Sequence, residues 1–481
     1  MKYSHFFFFC LGAALVVALL VYPSFTTDEG LAADPFPPQP MPGRIILSWS
    51  DDPATTQSVT WRTDVSIKEA FAEVAPASPS PDFRDDAKKV KAATELLVTD
   101  NNAAHFHSAT FTGLQPETMY AYRVGSGEYW SEWFQFTTAS REEKPFTFLY
   151  FGDAQNEIKS MWSRCIRQAY STMPDVDFLL HAGDLINRAN RDEEWGEWFY
   201  AGGWIYGMKP NIATPGNHEY ARNLLGQRTL SDLWRPTFTL PLNGPEGLEE
   251  TVFYIDYQGT RLISLNTPAI YADKATIQAQ EAWLDSILQN NPNRWVIVTH
   301  HHPVYSTAKG RDNEEVREAF QPLYEKYGVD LVLQGHDHSY GRGYNLNFGS
   351  SRKKDKGPIY VVSVSGPKMY NLNFEDWMER AASNTQLYQI IKVDGDCLVY
   401  EAYTTTGELY DAFELRKRKN GTNKFIDNAP EEVPEIISIP ERLKAKMSEK
   451  EIEEYRQRFE EYKARNKGRK ELKVEGLESS G

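Results

Sequence analysis

The spacing of apolar residues changes character along the chain. Period-two or short apolar runs come first: Ile45-Ile46-Leu47-Ser48-Trp49, Ser58-Val59-Thr60-Trp61, Glu95-Leu96-Leu97-Val98 and Phe106-His107-Ser108-Ala109-Thr110-Phe111. Turn residues separate them, which predicts a small all-β unit over residues 41–139. After the charged hinge Arg141-Glu142-Glu143-Lys144, apolar runs alternate with helical periodicity. Strands are predicted over 146–151, 176–181, 252–257, 261–266, 295–299 and 331–333, with helices through Met161 and Ile166, Trp195 and Trp198, Trp283 and Leu284, and over 314–327. Residues 145–415 therefore predict an α/β (α+β) unit, a partly parallel sheet arrangement covered by helices. Strand-like residues 359–415 are expected to complete a second sheet. The loop-like stretch 222–250 is expected to rim a pocket.

Two further segments flank this body. Lys2 and the apolar run Phe6–Tyr22, followed by polar residues and Ala32-Ala33, make residues 1–33 a signal peptide or an uncleaved N-terminal anchor. Residues 34–40 form a Pro-rich linker. At the far end, residues 431–481 are a charged helical tail. Ser448-Glu449-Lys450-Glu451 has the form of a capping box, and Ile452, Tyr455, Phe459 and Tyr462 recur at helical spacing. That stripe is expected to dock on the protein's own body.

Composition narrows the chemistry. With 481 residues, 41% hydrophobic and 13% aromatic, the chain can bury a large core. A formal charge of −15 argues against a nucleic-acid scaffold, whose phosphates select basic surfaces. A small phosphorylated substrate remains open, because bound metal ions supply local positive charge. The three cysteines, Cys10, Cys165 and Cys397, have no CxxC or Cys/His spacing and do not carry the chemistry.

Histidine does. Six of the 10 histidines fall in three short segments: His218, then His300-His301-His302, then His336 and His338. Strand-like runs end in Gly152-Asp153-Ala154-Gln155, in Gly183-Asp184-Leu185-Ile186-Asn187, in Pro215-Gly216-Asn217-His218-Glu219, in His300-His301-His302-Pro303 and in Gly335-His336-Asp337-His338. Ligands in open α/β sheets sit beyond the carboxyl ends of strands. Asp153, Asp184, Asn217, His301, His336 and His338 suffice to hold two metal ions if one carboxylate is shared, and Asp184 is placed to be the bridge. Two ions about 3.5–4 Å apart suit in-line phosphoryl displacement. At the end of an extended strand, His336 and His338 would point the same way.

These motifs, GD, GDxx, GNHE, HxP and GHxHxYxR, together resemble the calcineurin-like dinuclear metallophosphoesterases. Leu114-Gln115-Pro116-Glu117-Thr118-Met119-Tyr120-Ala121-Tyr122 resembles the tyrosine corner of a fibronectin type III-like sandwich, and that preceding domain narrows the resemblance to the purple acid phosphatase-like branch. The resemblance implies a four-layer metallophosphoesterase sandwich behind a small β-sandwich. One metal would take Asp153, Asp184 and His338, and the other Asp184, Asn217, His301 and His336. His218 would touch the phosphate and assist the leaving group. His302, Tyr340 and Arg342 are candidate substrate contacts, as are Lys309 and Arg311.

Two departures stand out. Purple acid phosphatases carry Tyr three residues after the bridging Asp, where this chain has Asn187. The other large branch has DxH at the first motif, where this chain has Asp153-Ala154-Gln155. Gln155 or Asn187 would supply a neutral oxygen instead, which predicts a colourless pair of divalent ions, Zn, Mn or Fe(II). The expected activity is hydrolysis of phosphate monoesters by an exported (periplasmic, secreted or membrane-anchored) acid phosphatase-like enzyme, through a hydroxide held between the metals. Its rivals are a phosphodiesterase or nucleotide hydrolase on the same site, and an exported binding protein without catalysis.

Overall fold

The computed structural model describes residues 34–344 and 357–478. The predicted leader, residues 1–33, lies outside the described residues. Among the described residues no helix is long and apolar enough to cross a membrane.

The first unit is the expected β-sandwich. One sheet orders Gly43–Ser48, Thr56–Asp64, Ala103–Thr112 and Ala93–Val98; the facing sheet is built around Phe71–Pro76 and Met119–Ser126. Leu47, Val59, Trp61, Phe111, Tyr122 and Phe136 fill the space between them. The tyrosine corner is present: the Gln115 N–H donates to the Tyr120 hydroxyl at 2.8 Å.

Two seven-stranded sheets make the second unit. The first orders Asn211–Ala213, Phe178–His181, Phe146–Phe151, Leu387–Asp394, Cys397–Thr404, Leu409–Lys417 and Asn423–Asp427. The second orders Phe253–Tyr257, Thr260–Ser264, Trp295–His300, Leu331–Gln334, Ile359–Val362, Tyr340–Tyr344 and Met378–Ala382. Strand alternation explains why these runs are apolar throughout. Ile297, Leu331, Leu333 and Val361 face the core shared with the first sheet. Val298, Val332 and Val362 face outward and pack with Leu284, Phe320 and Tyr324 of the covering helices. A chain buried on both faces cannot alternate apolar with polar.

Residues 359–415 depart from expectation. They do not build one sheet but divide between the two, and the first sheet continues past residue 415 to the strand Asn423–Asp427. Apolar periodicity identifies strands but not their partners, and the crossover is settled by packing. The C-terminal helix follows its prediction. Ser448 caps it through the Glu451 N–H, and Tyr455, Phe459 and Tyr462 close around Phe374.

Polar contacts hold the sandwich against the second unit. Arg44 and Arg62 both bind the buried Asp192 carboxylate, at 2.6 and 2.8 Å. The Tyr122 hydroxyl donates to Gly207 O at 2.6 Å, and Ser48 Oγ donates to Thr239 O at 2.9 Å.

Candidate metal centre

Both sheets aim parallel strands at one place. Phe146–Phe151, Phe178–His181 and Asn211–Ala213 run parallel in the first sheet. Thr260–Ser264, Trp295–His300, Leu331–Gln334 and Ile359–Val362 run parallel in the second. The candidate ligands lie just beyond the carboxyl ends of these strands. The chain turns sharply there: Asp153 (φ 42°), Asp184 (54°), His336 (76°) and His338 (46°) all have left-handed backbone. Non-glycine residues adopt that region at a cost, and such strain concentrates at functional sites. The predicted reason for His336 and His338 converging, extended i, i+2 geometry, is therefore corrected. A left-handed turn, not a continuing strand, carries both rings inward.

Among the described residues, two groups of side chains are each able to hold a metal ion: Asp184, His301 and His336, and Asp153, Asp184 and His338. Asp184 belongs to both. In the first group His301 Nε2 lies 3.2 Å from Asp184 Oδ2, 3.1 Å from Asn217 Oδ1 and 3.1 Å from His336 Nδ1. In the second, His338 Nε2 lies 3.7 Å from Asp153 Oδ1.

The donor set fits cations. His301 Nδ1 faces Ala182 O at 2.9 Å and His338 Nδ1 faces Lys368 O at 3.1 Å. A neutral imidazole bonded to a carbonyl through one nitrogen presents a lone pair on the other. His301 Nε2 lies close to three further acceptors; burial lowers the ring's pKa, but the Asp184 and Asp153 carboxylates outweigh it and raise it to about 9, so the pocket draws positive charge to Nε2, whether from a proton or from a metal ion. Asp153 Oδ1 is buried and has no hydrogen-bond donor among the described residues. Burial holds His336 and His338 well below the ordinary imidazole range, keeping them neutral. Burial, reinforced by the Asp184 charge, pushes the Asp153 carboxyl well up, against the opposing pull of His301.

Other predicted residues divide clearly. His218 stands beside Asp184, its Nε2 at 4.0 Å from Oδ2 and its N–H donating to Oδ1 at 2.8 Å. Gln155 lies within the cluster but turns its amide nitrogen, not the expected oxygen, to the ligands: the nitrogen donates to Asp184 Oδ2 at 2.6 Å and approaches His338 Nε2 at 3.2 Å. Asn187 serves the site differently from expectation. Its amide oxygen accepts from Asn156 at 3.2 Å, while its backbone oxygen faces His218 Nδ1 at 2.6 Å. His302 lines the open cleft with Asn217 and His336, its ring 4.2 Å from that of His336. Arg311 turns toward the site, donating to His336 O at 3.1 Å, whereas Lys309 is exposed.

Tyr340 and Arg342 are corrected. Both are fully buried and bind Asp411: the Tyr340 hydroxyl at 2.6 Å, and the Arg342 guanidinium through Nε at 3.0 Å and Nη2 at 2.8 Å. They follow the metal motif in sequence, but the strand Tyr340–Tyr344 leads them into the shared core.

Sequence reasoning missed several supports. Glu219 accepts the N–H groups of Asp184, Leu185 and Gly216 at 2.8, 2.8 and 2.6 Å, fixing the turn that presents Asp184. Its place beside Asn217 and His218 was the available signal. Asp337, between two candidate ligands, accepts from Thr307 N at 2.6 Å and Ala308 N at 3.2 Å. Ser363–Gly366 follows another strand end, and the Gly366 N–H donates to Asp153 O at 2.8 Å. Gly216 is required sterically: a Cβ there would lie 2.2 Å from Asp184 Oδ1.

Both units of the chain resemble known protein families. Residues 146–340 match the calcineurin-like phosphoesterase family and residues 42–138 the purple acid phosphatase N-terminal domain. Acid phosphatase type 7 of Homo sapiens is 28% identical over 361 residues, covering 68% of this chain and 78% of that protein. A purple acid phosphatase of Glycine max is 24% identical, covering 72% and 78%. Among solved structures, a purple acid phosphatase from yellow lupin (Lupinus luteus) seeds superposes with a TM-score of 0.65 at 21% identity, covering 79% of this chain and 75% of that one. PhoD superposes with a TM-score of 0.59 at 13% identity, covering 88% and 98%.

Proposed function

We propose, from the premise that the chain joins a calcineurin-like phosphoesterase domain to a purple acid phosphatase N-terminal domain, that this phosphatase hydrolyses phosphate monoesters at a two-metal centre. The carrying observation is the pair of ligand groups that share Asp184. Asp153, Asp184 and His338, with Gln155 beside them, would hold one ion; Asp184, Asn217, His301 and His336 would hold the other. When bound, two such ions supply Lewis acidity to the phosphoryl oxygens and lower the pKa of a water.

The chain's own residues do the rest. The Asn187 carbonyl holds His218 Nδ1, and the His218 ring is partly open to solvent beside Asp184. Its Nε2 is thus placed to hold a proton and deliver it to the departing alkoxide. Thr267 Oγ1 accepts the His302 backbone N–H at 3.0 Å and lies 3.0 Å from His302 Nδ1, which fixes the orientation of the ring. A Thr267 hydroxyl that donates to Nδ1 would leave the ring proton on Nε2, where it would meet a phosphoryl oxygen in the cleft. Burial keeps His302 neutral, well below the ordinary imidazole range.

The test is turnover of p-nitrophenyl phosphate against bis(p-nitrophenyl) phosphate, on metal-stripped protein reconstituted with Zn or Mn. The expected result is a monoester preference that Asp184→Asn abolishes. A diester preference would make the chain a phosphodiesterase, and metal binding without turnover of either would remove the enzyme reading. We also propose export through residues 1–33, motivated by the apolar run Phe6–Tyr22. Finding the protein only in the cytosolic fraction of the producing cell would refute this.

A further inference from the structure

Next to the metal centre lies an open cleft of about 590 Å³, with Asn217, His302 and His336 on its inner wall. Its outer wall is a two-stranded ribbon, Tyr220–Arg222 paired with Arg228–Leu230. Arg222 and Arg228 both line the cleft. They are also direct cross-strand partners in the ribbon.

That pairing runs against the ordinary preferences of a sheet. Directly opposed side chains lie about 4.5–5.5 Å apart at Cβ, and like charges there are destabilising. Among the described residues neither arginine has a carboxylate partner; the polar contact described for Arg222 is to Gly226 O, at 2.8 Å. The nearby acidic wall residue, Asp312, is already engaged by Arg317 at 2.5 Å.

Alternation decides where the two charges face. Arg222 and Arg228 share a ribbon face with Tyr220 and Leu230, two residues away on each strand. Tyr220 accepts from Asn266 Nδ2 at 2.8 Å and packs on the core of the second sheet, while Leu230 packs on the core between the sheets. The arginines therefore share the face that Tyr220 and Leu230 turn to the body, and they stand exposed at the rim of the cleft. Leu224 and Leu225, at the turn of the ribbon, are exposed as well. Two unneutralised guanidinium groups at the mouth of a phosphate-processing cleft form a ready acceptor for an anion.

We propose that Arg222 and Arg228 form a second anion subsite, so that the favoured substrates are phosphate monoesters carrying another anionic group, phosphoryl or carboxylate, beyond the scissile ester. The inference rests on the phosphatase reading for its first group and on the ribbon for its second. A monoester with a single anion uses the metal centre alone. A doubly anionic one spans the centre and the ribbon.

The test compares glucose 1,6-bisphosphate, 3-phosphoglycerate and glucose 6-phosphate by phosphate release from the metal-loaded full chain. In Arg222→Ala/Arg228→Ala, the ratio of kcat/KM for glucose 1,6-bisphosphate to that for glucose 6-phosphate is expected to fall about tenfold, a typical loss for a charge-assisted contact. The fall should reside in KM. Arg222→Lys/Arg228→Lys, which keeps the charges, should retain most of the ratio. A parallel fall for 3-phosphoglycerate supports a subsite for any anion; a fall for the bisphosphate alone supports one for phosphoryl groups. An unchanged ratio overturns the proposal. If the wild type hydrolyses neither these three nor p-nitrophenyl phosphate, the phosphatase reading fails; whenever the three are not turned over, calorimetric titration of the same ligands judges the subsite alone: it stands if the variant loses preference for the bisphosphate and falls if it does not.

Discussion

The carboxylate of Glu219 sits behind Asp184 and accepts its backbone N–H at 2.8 Å. It also accepts the N–H groups of Leu185 and Gly216, so one buried acid sets the turn from which Asp184 reaches both ligand groups. Supports of this kind govern metal affinity as much as the ligands do.

Glu219→Gln replaces one accepting oxygen by an amide that itself donates, and so opposes two backbone donors. Metal affinity should fall about 10–100-fold. Competition against a chelator reads this directly, and an unaltered affinity would remove Glu219 from the account of the site.

Arg342 separates packing from substrate contact. Arg342→Met leaves Asp411 buried without its guanidinium, a change that costs about 3–5 kcal/mol when a buried pair is broken. Denaturant unfolding should register the loss. Were Arg342 a phosphate contact, KM would rise with the unfolding midpoint in place.

Asp192 joins the two units and gives a pH signature. Burial pushes its carboxyl up, but Arg44 and Arg62 outweigh burial and hold it below the ordinary range. A depressed folded pKa stabilises fully above the unfolded value, about 3.9. That contribution is lost as pH falls through the folded value. The Tm advantage of wild type over Asp192→Asn should therefore be constant near neutrality and shrink below about pH 4. An advantage that persists undiminished into strong acid contradicts the assignment.

Asn187 stands where a tyrosinate would colour an Fe(III) site, and its amide oxygen is bonded to Asn156. The protein carrying two divalent ions is expected to be colourless. An intense visible charge-transfer band in the purified metal-loaded protein would show that another phenolate has taken the place.

Much of this molecule was legible from local pattern. Runs such as Phe146–Phe151 and Trp295–His300 are apolar on both faces because each strand has a core on either side. An Asp, Asn or His at the end of such a run has few roles other than polar chemistry. The tyrosine corner and the Ser448 cap were equally local, since their partners lie within five residues.

Tertiary structure decided what depends on residues far apart in sequence. Tyr340 and Arg342 continue the metal motif along the chain, yet Asp411, 69 or more residues away, draws them into the core. Residues 359–427 look alike as strands, but hydrogen-bond partners assign them to different sheets. The charge pair Arg222 and Arg228 gains meaning only from the ribbon register that opposes them and the cleft that they face. Residue type and spacing determine which groups can do chemistry; long-range pairing determines which of them meet.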